Sequence, residues 1–267
     1  MKQPIITILT DFGIKDPYVG IMKGVIADIC PEANTIDLTH AVQPGNIKQA
    51  AFLLKNSIDY FPDNTVFLIV VDPGVGSKRN PIAAKIGNKY FVAPDNGVLS
   101  YIFNDKLEVV VTDKPEFHLD NISATFHGRD IFSPVSAHLA AKLNKSRKLN
   151  LSDFGKPFDE ENPFKIEEPL RTFDKSGNLH GEILHIDIFG NLISSIRTDD
   201  IDKFDKNKMK INIGKIKLKG LKNTFSDVKS GEPVAYIGSS GCLELGIRDG
   251  SFSEKYKIAI SEKIKIK

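Results

Sequence analysis

The feature that most restricts the fold is a change in hydrophobic period part-way along the chain. Up to about residue 145, short apolar runs alternate with helical patterns, as in a parallel or mixed sheet flanked by helices. Ile5 to Leu9 and Val66 to Val71 read as strands covered on both faces, because their apolar character is continuous rather than alternating. Each run leads into an aspartate, Asp11 and Asp72. Val19, Met22, Ile26 and Ile29 recur at helical spacing, and Pro31 stops that helix because it has no backbone N–H to continue the ladder. Asn46 is placed to cap a second helix whose apolar face runs through Ala50, Leu54 and Ile58. Leu107 to Val111 is a further strand and Ile131 to Leu143 a further helix.

From Asn144 to Pro169 periodicity lapses into charged residues and prolines, which marks a linker. Beyond it the period becomes two. Ile183 to Ile188, Met209 to Ile213, Ile216 to Leu218, Val234 to Ile237 and Tyr256 to Ile260 alternate, with Gly214, Gly220 and Gly231 as turns, so a small antiparallel barrel or sandwich is expected. The expected organisation is an N-terminal α/β sheet domain flanked by helices over residues 1–165 and a smaller antiparallel β domain over 170–267.

Composition narrows the function classes. With 267 residues, 41% hydrophobic and 26% charged, the chain is of the globular class and needs no staple for its core. Cys30 and Cys242 lie in no zinc or redox spacing, and so few cysteines suit a reducing compartment. The N-terminus has no signal-peptide core, and no run approaches the roughly 20 apolar residues of a membrane span, so a cytoplasmic location without membrane partners is expected. Residues 1–169 hold 18 Lys and Arg against 21 Asp and Glu, while residues 170–267 hold 18 against 13. The basic excess is lysine alternating along strand-like runs such as Lys208 to Lys219, the pattern of a solvated sheet face, and no nucleic-acid-binding motif accompanies it.

Three stretches carry candidate chemistry. Asp72-Pro73-Gly74-Val75-Gly76-Ser77-Lys78-Arg79 follows a strand end, where open α/β sheets bind ligands, although Asp-Pro-Gly is also ordinary turn chemistry. It is neither a Walker loop nor a dinucleotide fingerprint. In Phe126-His127-Gly128-Arg129-Asp130, His127 titrates in the range of a general base, although a lone histidine before a helix is commonly a cap. Asp11, at the end of the first strand, is placed to hold ribose hydroxyls. His40, His118, His138, His180 and His185 show no metal-ligand spacing, and there is no nucleophile elbow for a serine hydrolase. Asp187-Ile188-Phe189-Gly190-Asn191 and Ser239-Ser240-Gly241-Cys242-Leu243-Glu244 interrupt alternating strands with polar groups, which by themselves read as bulges and turns.

Together with Tyr18 to Gly24, Asp37-Leu38-Thr39-His40 and Ala93 to Leu99, these segments resemble the adenosine-forming S-adenosyl-L-methionine (SAM) hydrolases, or SAM hydroxide adenosyltransferases, relatives of the fluorinases and chlorinases. The resemblance spans nearly the whole chain. It implies an N-terminal α/β domain and a C-terminal β-barrel domain, a homotrimer with SAM bound at subunit interfaces, and SAM as substrate with no cofactor and no metal. Motif by motif it implies Asp72, Arg79 and His127 beside the reacting carbon and Asp11 on the ribose. It also implies Asp187 and Ser239 at the methionine end, Asn191 on the adenine, and Phe189 and Glu244 as pocket lining. Where the halogenases carry an arginine that helps bind the methionine end, this chain has Ser240. Either Asp72 or His127 can serve as the base. The rival readings are a SAM-dependent halogenase and a non-catalytic adenosine or SAM sensor, and the latter has no need of a base beside the 5′ carbon.

Overall fold

Ile6, Ile8 and Leu9 are wholly buried, as their apolar run requires, in β1 (Ile5–Thr10), the second strand from one edge of a seven-stranded sheet. The computed structural model describes residues 3–103, 107–145, 149–158 and 165–267. It divides into two compact units, Met1–Ile166 and Glu167–Lys267. Part of the linker expected over 144–169 lies outside the described residues.

In the first unit β1 is followed by α1 (Tyr18–Ile29), β2 (Asn34–Thr39), α2 (Ile47–Ser57), β3 (Val66–Val70), β4 (Pro81–Ile86), β5 (Lys89–Pro94), β6 (Leu107–Val111), α3 (Ser133–Lys145) and β7 (Lys156–Pro157). The strand order is β2-β1-β3-β5-β4-β6-β7. β1 runs parallel to β2 and β3, and β3 parallel to β5, while β4 pairs antiparallel with both β5 and β6. One face packs Ile6, Ile8, Leu68 and Val70 against Met22 and Ile26 of α1 and Val135 and Leu139 of α3. The other packs Leu9, Phe67 and Ile69 against Ala50 and Leu54 of α2. With both faces covered, every residue of β3 is buried, and each large apolar side chain contributes about 1.5–3 kcal/mol. Asn46 caps α2 as expected, its side chain accepting the Gln49 N–H at 3.0 Å.

β1 leads through α1 to β2 on one side of it, whereas β3 leads to β4 on the other side, so the chain leaves these adjacent strands in opposite directions. That reversal opens a crevice at the carboxyl ends of β1 and β3, where Asp11 and Asp72 stand. α3 is entered through one π turn, Gly128–Phe132, in which the Ser133 hydroxyl donates to the Gly128 carbonyl at 2.7 Å. Such turns recur at functional sites.

The second unit contains β8 (Arg171–Phe173), β9 (Leu179–Ile186), β10 (Leu192–Arg197), α4 (Thr198–Ile201), β11 (Lys210–Ile213), β12 (Ile216–Lys219), β13 (Pro233–Ile237), β14 (Cys242–Ile247), α5 (Phe252–Tyr256) and β15 (Lys263–Ile266). Its sheet runs β12-β11-β15-β9-β10-β14-β13, wholly antiparallel, with β8 added on β9. The end strands β12 and β13 meet, so the sheet is nearly closed around Leu179, Ile183, Ile211, Leu245 and Ile264. No helix among the described residues is long and apolar enough to cross a membrane.

The strand expected at Tyr256 to Ile260 is absent. Ser251 instead caps α5 by accepting the Glu254 N–H, Phe252 fills the barrel interior, and Lys257 ends the turn in the left-handed region at φ 53°. β10 escaped the sequence pattern because buried Ser194 and Ser195 break its apolar alternation, with Ser194 donating to the Leu243 carbonyl at 2.8 Å. Phe252→Ala is expected to destabilise the second unit by about 3–5 kcal/mol. Ser251→Ala should cost about 1 kcal/mol through loss of the cap. Denaturant midpoints measure both.

Candidate active site

Beyond β3 the chain turns sharply, with the Val75 and Ser77 amides donating to the Asp72 and Gly74 carbonyls at 3.2 and 3.0 Å. Arg79 is thereby folded back over Asp72. Its Nε donates to Asp72 Oδ1 and Oδ2 at 3.1 and 2.9 Å, and its Nη2 to Oδ2 at 2.5 Å. Nη2 also donates to His127 Nδ1 at 2.8 Å. The guanidinium lies over the Phe132 ring, 5.1 Å from its centroid. Asp72 and Arg79 expose only 4% and 9% of their side chains, so two charges have been taken out of water and the fork of hydrogen bonds between them must offset that cost.

Glycines allow the loops to meet. Gly76, at φ +77°, abuts the loop before His127 so closely that a Cβ there would lie 2.5 Å from the Ala124 carbonyl oxygen. A Cβ on Gly128 would come 3.4 Å from Met22 of α1, Val70 of β3 and Phe126, and that tight packing brings His127 to the end of β3.

Donor and acceptor chemistry fixes the protonation pattern. Guanidinium has no acceptor, so His127 Nδ1 must be the acceptor and the neutral ring carries its proton on Nε2. Burial, and then the Arg79 charge, pull His127 below its ordinary value, outweighing Asp72 and Asp130. Arg79 occupies one lone-pair site on Asp72 Oδ1 and two on Oδ2, so of about four carboxylate sites one on Oδ1 is left for another donor.

Asp11 stands beside this cluster. Its Oδ2 accepts the Gly45 N–H at 2.8 Å, and Gly45 packs on Pro73, whose Cβ would be 3.5 Å from a Cβ added there. Asn96 ties the Ala93–Leu99 segment to the same strand end by donating to the Val71 carbonyl at 2.8 Å. Gly45 and Phe132 escaped the sequence analysis, the first because Pro-Gly marks any turn and the second because it carries only the signal of a core residue.

The second unit gathers a different set. Asp187 Oδ1 accepts the Phe189 and Asn191 amides at 2.9 and 2.8 Å, and Oδ2 accepts Asn191 Nδ2 at 2.8 Å. Glu244 accepts the Tyr236 hydroxyl at 2.8 Å. Burial pushes Glu244 above the usual carboxylate range, with Asp187 adding to the rise, and burial and Glu244 push Tyr236 up. Phe189, 73% exposed, and Asn191 line a cleft of about 780 Å³ with Phe225 and Arg248, neither of which any motif marked. Ser239 is exposed on the β13–β14 turn and does not line that cleft. Among the described residues no group of three or more His, Cys, Asp or Glu side chains is placed to hold a metal ion.

Comparisons with known proteins identify the family. The model of the SAM hydroxide adenosyltransferase N-terminal domain matches residues 6–149, and that of the C-terminal domain residues 181–265. The chain belongs to the SAM hydroxide adenosyltransferase family. Within that family it is similar to the (R)-S-adenosyl-L-methionine hydrolase of Thermus thermophilus, at 34% identity over 92% of each chain. It is also similar to the fluorinase of Nocardia brasiliensis, at 28% identity over 99% of this chain and 98% of that one. The crystal structure of an uncharacterized conserved protein from Thermotoga maritima superposes with a TM-score of 0.85 at 35% identity, covering 98% of this chain and 99% of that one. The α/β unit and barrel-like unit are thus the family's architecture.

Gly76→Ala should separate the two loops and lower stability by about 1–3 kcal/mol, read from the unfolding midpoint. Burial also lowers His118, His138 and His185, as it does His127. Below their ordinary value of about 6.5 the unfolded chain therefore binds more protons than the folded one, and stability should fall as pH is taken from about 7 to about 5. Thermal unfolding across that range checks the sign.

Proposed function

We propose that the chain hydrolyses SAM to adenosine and L-methionine by attack of water on the 5′ carbon, with Asp72, Arg79 and His127 at the reacting centre. The observation that carries this reading is the Arg79 guanidinium shared between Asp72 and His127 at the mouth of the β1–β3 crevice. The leaving group is a neutral thioether departing from a sulfonium, so no acid is required to release it. The difficulty is the nucleophile, because water at neutral pH holds its proton tightly.

Asp72 is assigned as the base. The accepting nitrogen of His127 is occupied by Arg79 and its other nitrogen carries a proton, so the imidazole has no free lone pair for the water's proton. A water that donates one O–H to Asp72 Oδ1 loses that proton as its oxygen bonds to C5′, while the C5′–S electron pair leaves with sulfur. The proton then passes from Asp72 to solvent. His127 Nε2–H orients the same water, and Arg79 holds the Asp72 carboxylate in alignment. Attack of a partly anionic oxygen on a cation annihilates charge, which a site with little water favours.

Asp11 is assigned to the ribose hydroxyls, Asp187 and Ser239 to the methionine end, and Asn191 to the adenine, with Phe189 and Glu244 lining the pocket. The aromatic rings and amide of the second-unit cleft suit a flat base with hydrogen-bonding edges. A homotrimer with substrate sites at subunit boundaries, a cytoplasmic location and no cofactor belong to the same proposal.

Asp72→Asn should cut kcat by about 10²–10⁴ and leave the KM for SAM within about threefold. Chromatography of the products with chloride or fluoride present decides the chemistry: adenosine supports hydrolysis, and a 5′-halo-5′-deoxyadenosine overturns it. Intact SAM after prolonged incubation would favour a sensor. The kcat/KM profile should be flat at pH 7 and fall only below about 6.5, where protonation turns His127 Nδ1 into a donor facing Arg79. That limb should vanish in His127→Asn, whose amide oxygen still accepts from Arg79.

A further inference from the structure

Besides Asp72, Arg79 and His127, a second histidine is built into the carboxyl edge of the sheet, and the proposed chemistry makes no use of it. His40 follows β2 and is 7% exposed, beside Thr10 at the end of β1, which is fully buried. His40 Nδ1 lies 2.9 Å from Thr10 Oγ1. Its Nε2 stands 3.0 Å from Asp37 Oδ1, and the other oxygen of Asp37 takes the Lys23 ammonium at 2.7 Å. The His40 carbonyl accepts the Gly13 N–H at 2.7 Å. Thr10 Oγ1 accepts the Phe12 N–H at 3.3 Å.

The charges around the ring select its tautomer, although Nε2 is not aligned for a hydrogen bond to Asp37 and has no hydrogen-bond partner among the described residues. A bare Nε2 lone pair would face the Asp37 carboxylate oxygen 3.0 Å away and be repelled by it, so the proton of the neutral ring sits on Nε2 and Nδ1 is bare. Nδ1 then accepts the Thr10 hydroxyl proton, and the lone pairs of Oγ1 are free for the Phe12 N–H. The two amides that follow Asp11 are therefore both held by the Thr10–His40 pair, one through the threonine hydroxyl and one through the histidine carbonyl. Asp11 itself is anchored at Oδ2 by Gly45, with Oδ1 left over.

We infer that His40 is a positioning residue: acting through Thr10, it sets the direction in which Asp11 presents its carboxylate to the ribose diol. The inference rests on the assignment of Asp11 to the ribose. Two segments far apart in sequence, Thr10 to Gly13 and Asp37 to His40, are locked together at one strand edge, and Lys23 on α1 pins the far end of the relay. Without the imidazole, Thr10 Oγ1 is free to rotate. The Phe12 amide loses its fixed acceptor, and the Asp11 backbone is no longer held at the angle that aims Oδ1.

The test is the preference for adenosine over 2′,3′-dideoxyadenosine, measured by calorimetry in wild type, Asp11→Asn, His40→Ala and His40→Asn. Wild type should prefer adenosine by at least about tenfold, the worth of a hydrogen bond to a charged group, and Asp11→Asn should erase that preference. His40→Ala should bring the preference to within about threefold of Asp11→Asn while binding the dideoxynucleoside as wild type does; a merely structural lesion would weaken both nucleosides alike. His40→Asn, whose amide oxygen replaces Nδ1 as acceptor, should recover most of the preference. If His40→Ala fails to fold, Thr10→Val removes only the hydroxyl and should show the same loss. A wild-type preference retained in His40→Ala or Thr10→Val overturns the inference and leaves the Asp11 assignment standing. A wild type that binds both nucleosides equally overturns that assignment, and the inference with it.

Discussion

A guanidinium taken largely out of water needs partners for its N–H groups, and in this chain Nε and Nη2 of Arg79 find them in Asp72 and His127 while the group lies over the face of Phe132. The first unit is arranged around that requirement. Arg79 and Asp72 are separated by only seven positions, so the loop between them must reverse within a few residues, and Gly76 allows it to press against the backbone at Ala124. Leaving either charge alone in the interior would cost several kcal/mol, so the loop is held by the pair as much as the pair is held by the loop. The same contact settles the chemistry of the histidine, since an imidazole that faces a guanidinium can only accept from it.

The sheet supplies the place for this cluster. Because β2 and β4 lie on opposite sides of the β1–β3 pair, β1 and β3 send their connections apart, and the space between their carboxyl ends stays open for a ligand. Both crevice aspartates sit one or two residues beyond a strand whose side chains are almost all buried, so their backbone positions are set by the rigid core. Rigid strands carrying short loops place polar groups with the accuracy that aligning a nucleophile with a breaking bond demands.

Much of this could be read from sequence where one physical signal stood alone. The continuous apolar run of β3 can be stable only between two layers, and helical spacing of Val19, Met22 and Ile26 is what α1 buries. Asn46 caps α2 because its side chain reaches the Gln49 amide. Reading failed where signals overlapped. Tyr256 to Ile260 alternates like a strand, yet the Ser251 cap and the buried Phe252 commit the start of that stretch to a helical turn, and a left-handed Lys257 leads out of it. β10 was hidden by buried serines that satisfy their hydroxyls on neighbouring backbone.

Sequence alone determined the order of α/β and β units, the two covered strands of the first sheet, the capped helix α2 and the identity of the polar residues at the strand ends, because each is a property of neighbours along the chain. Only the tertiary structure decided that Arg79 turns back onto Asp72, that His127 offers Nδ1 to it, and that His40 reaches Thr10 at the end of the neighbouring strand. The last two are choices among partners far apart in sequence. They are settled by which buried donors and acceptors can be satisfied together, and no local pattern of residues encodes that condition.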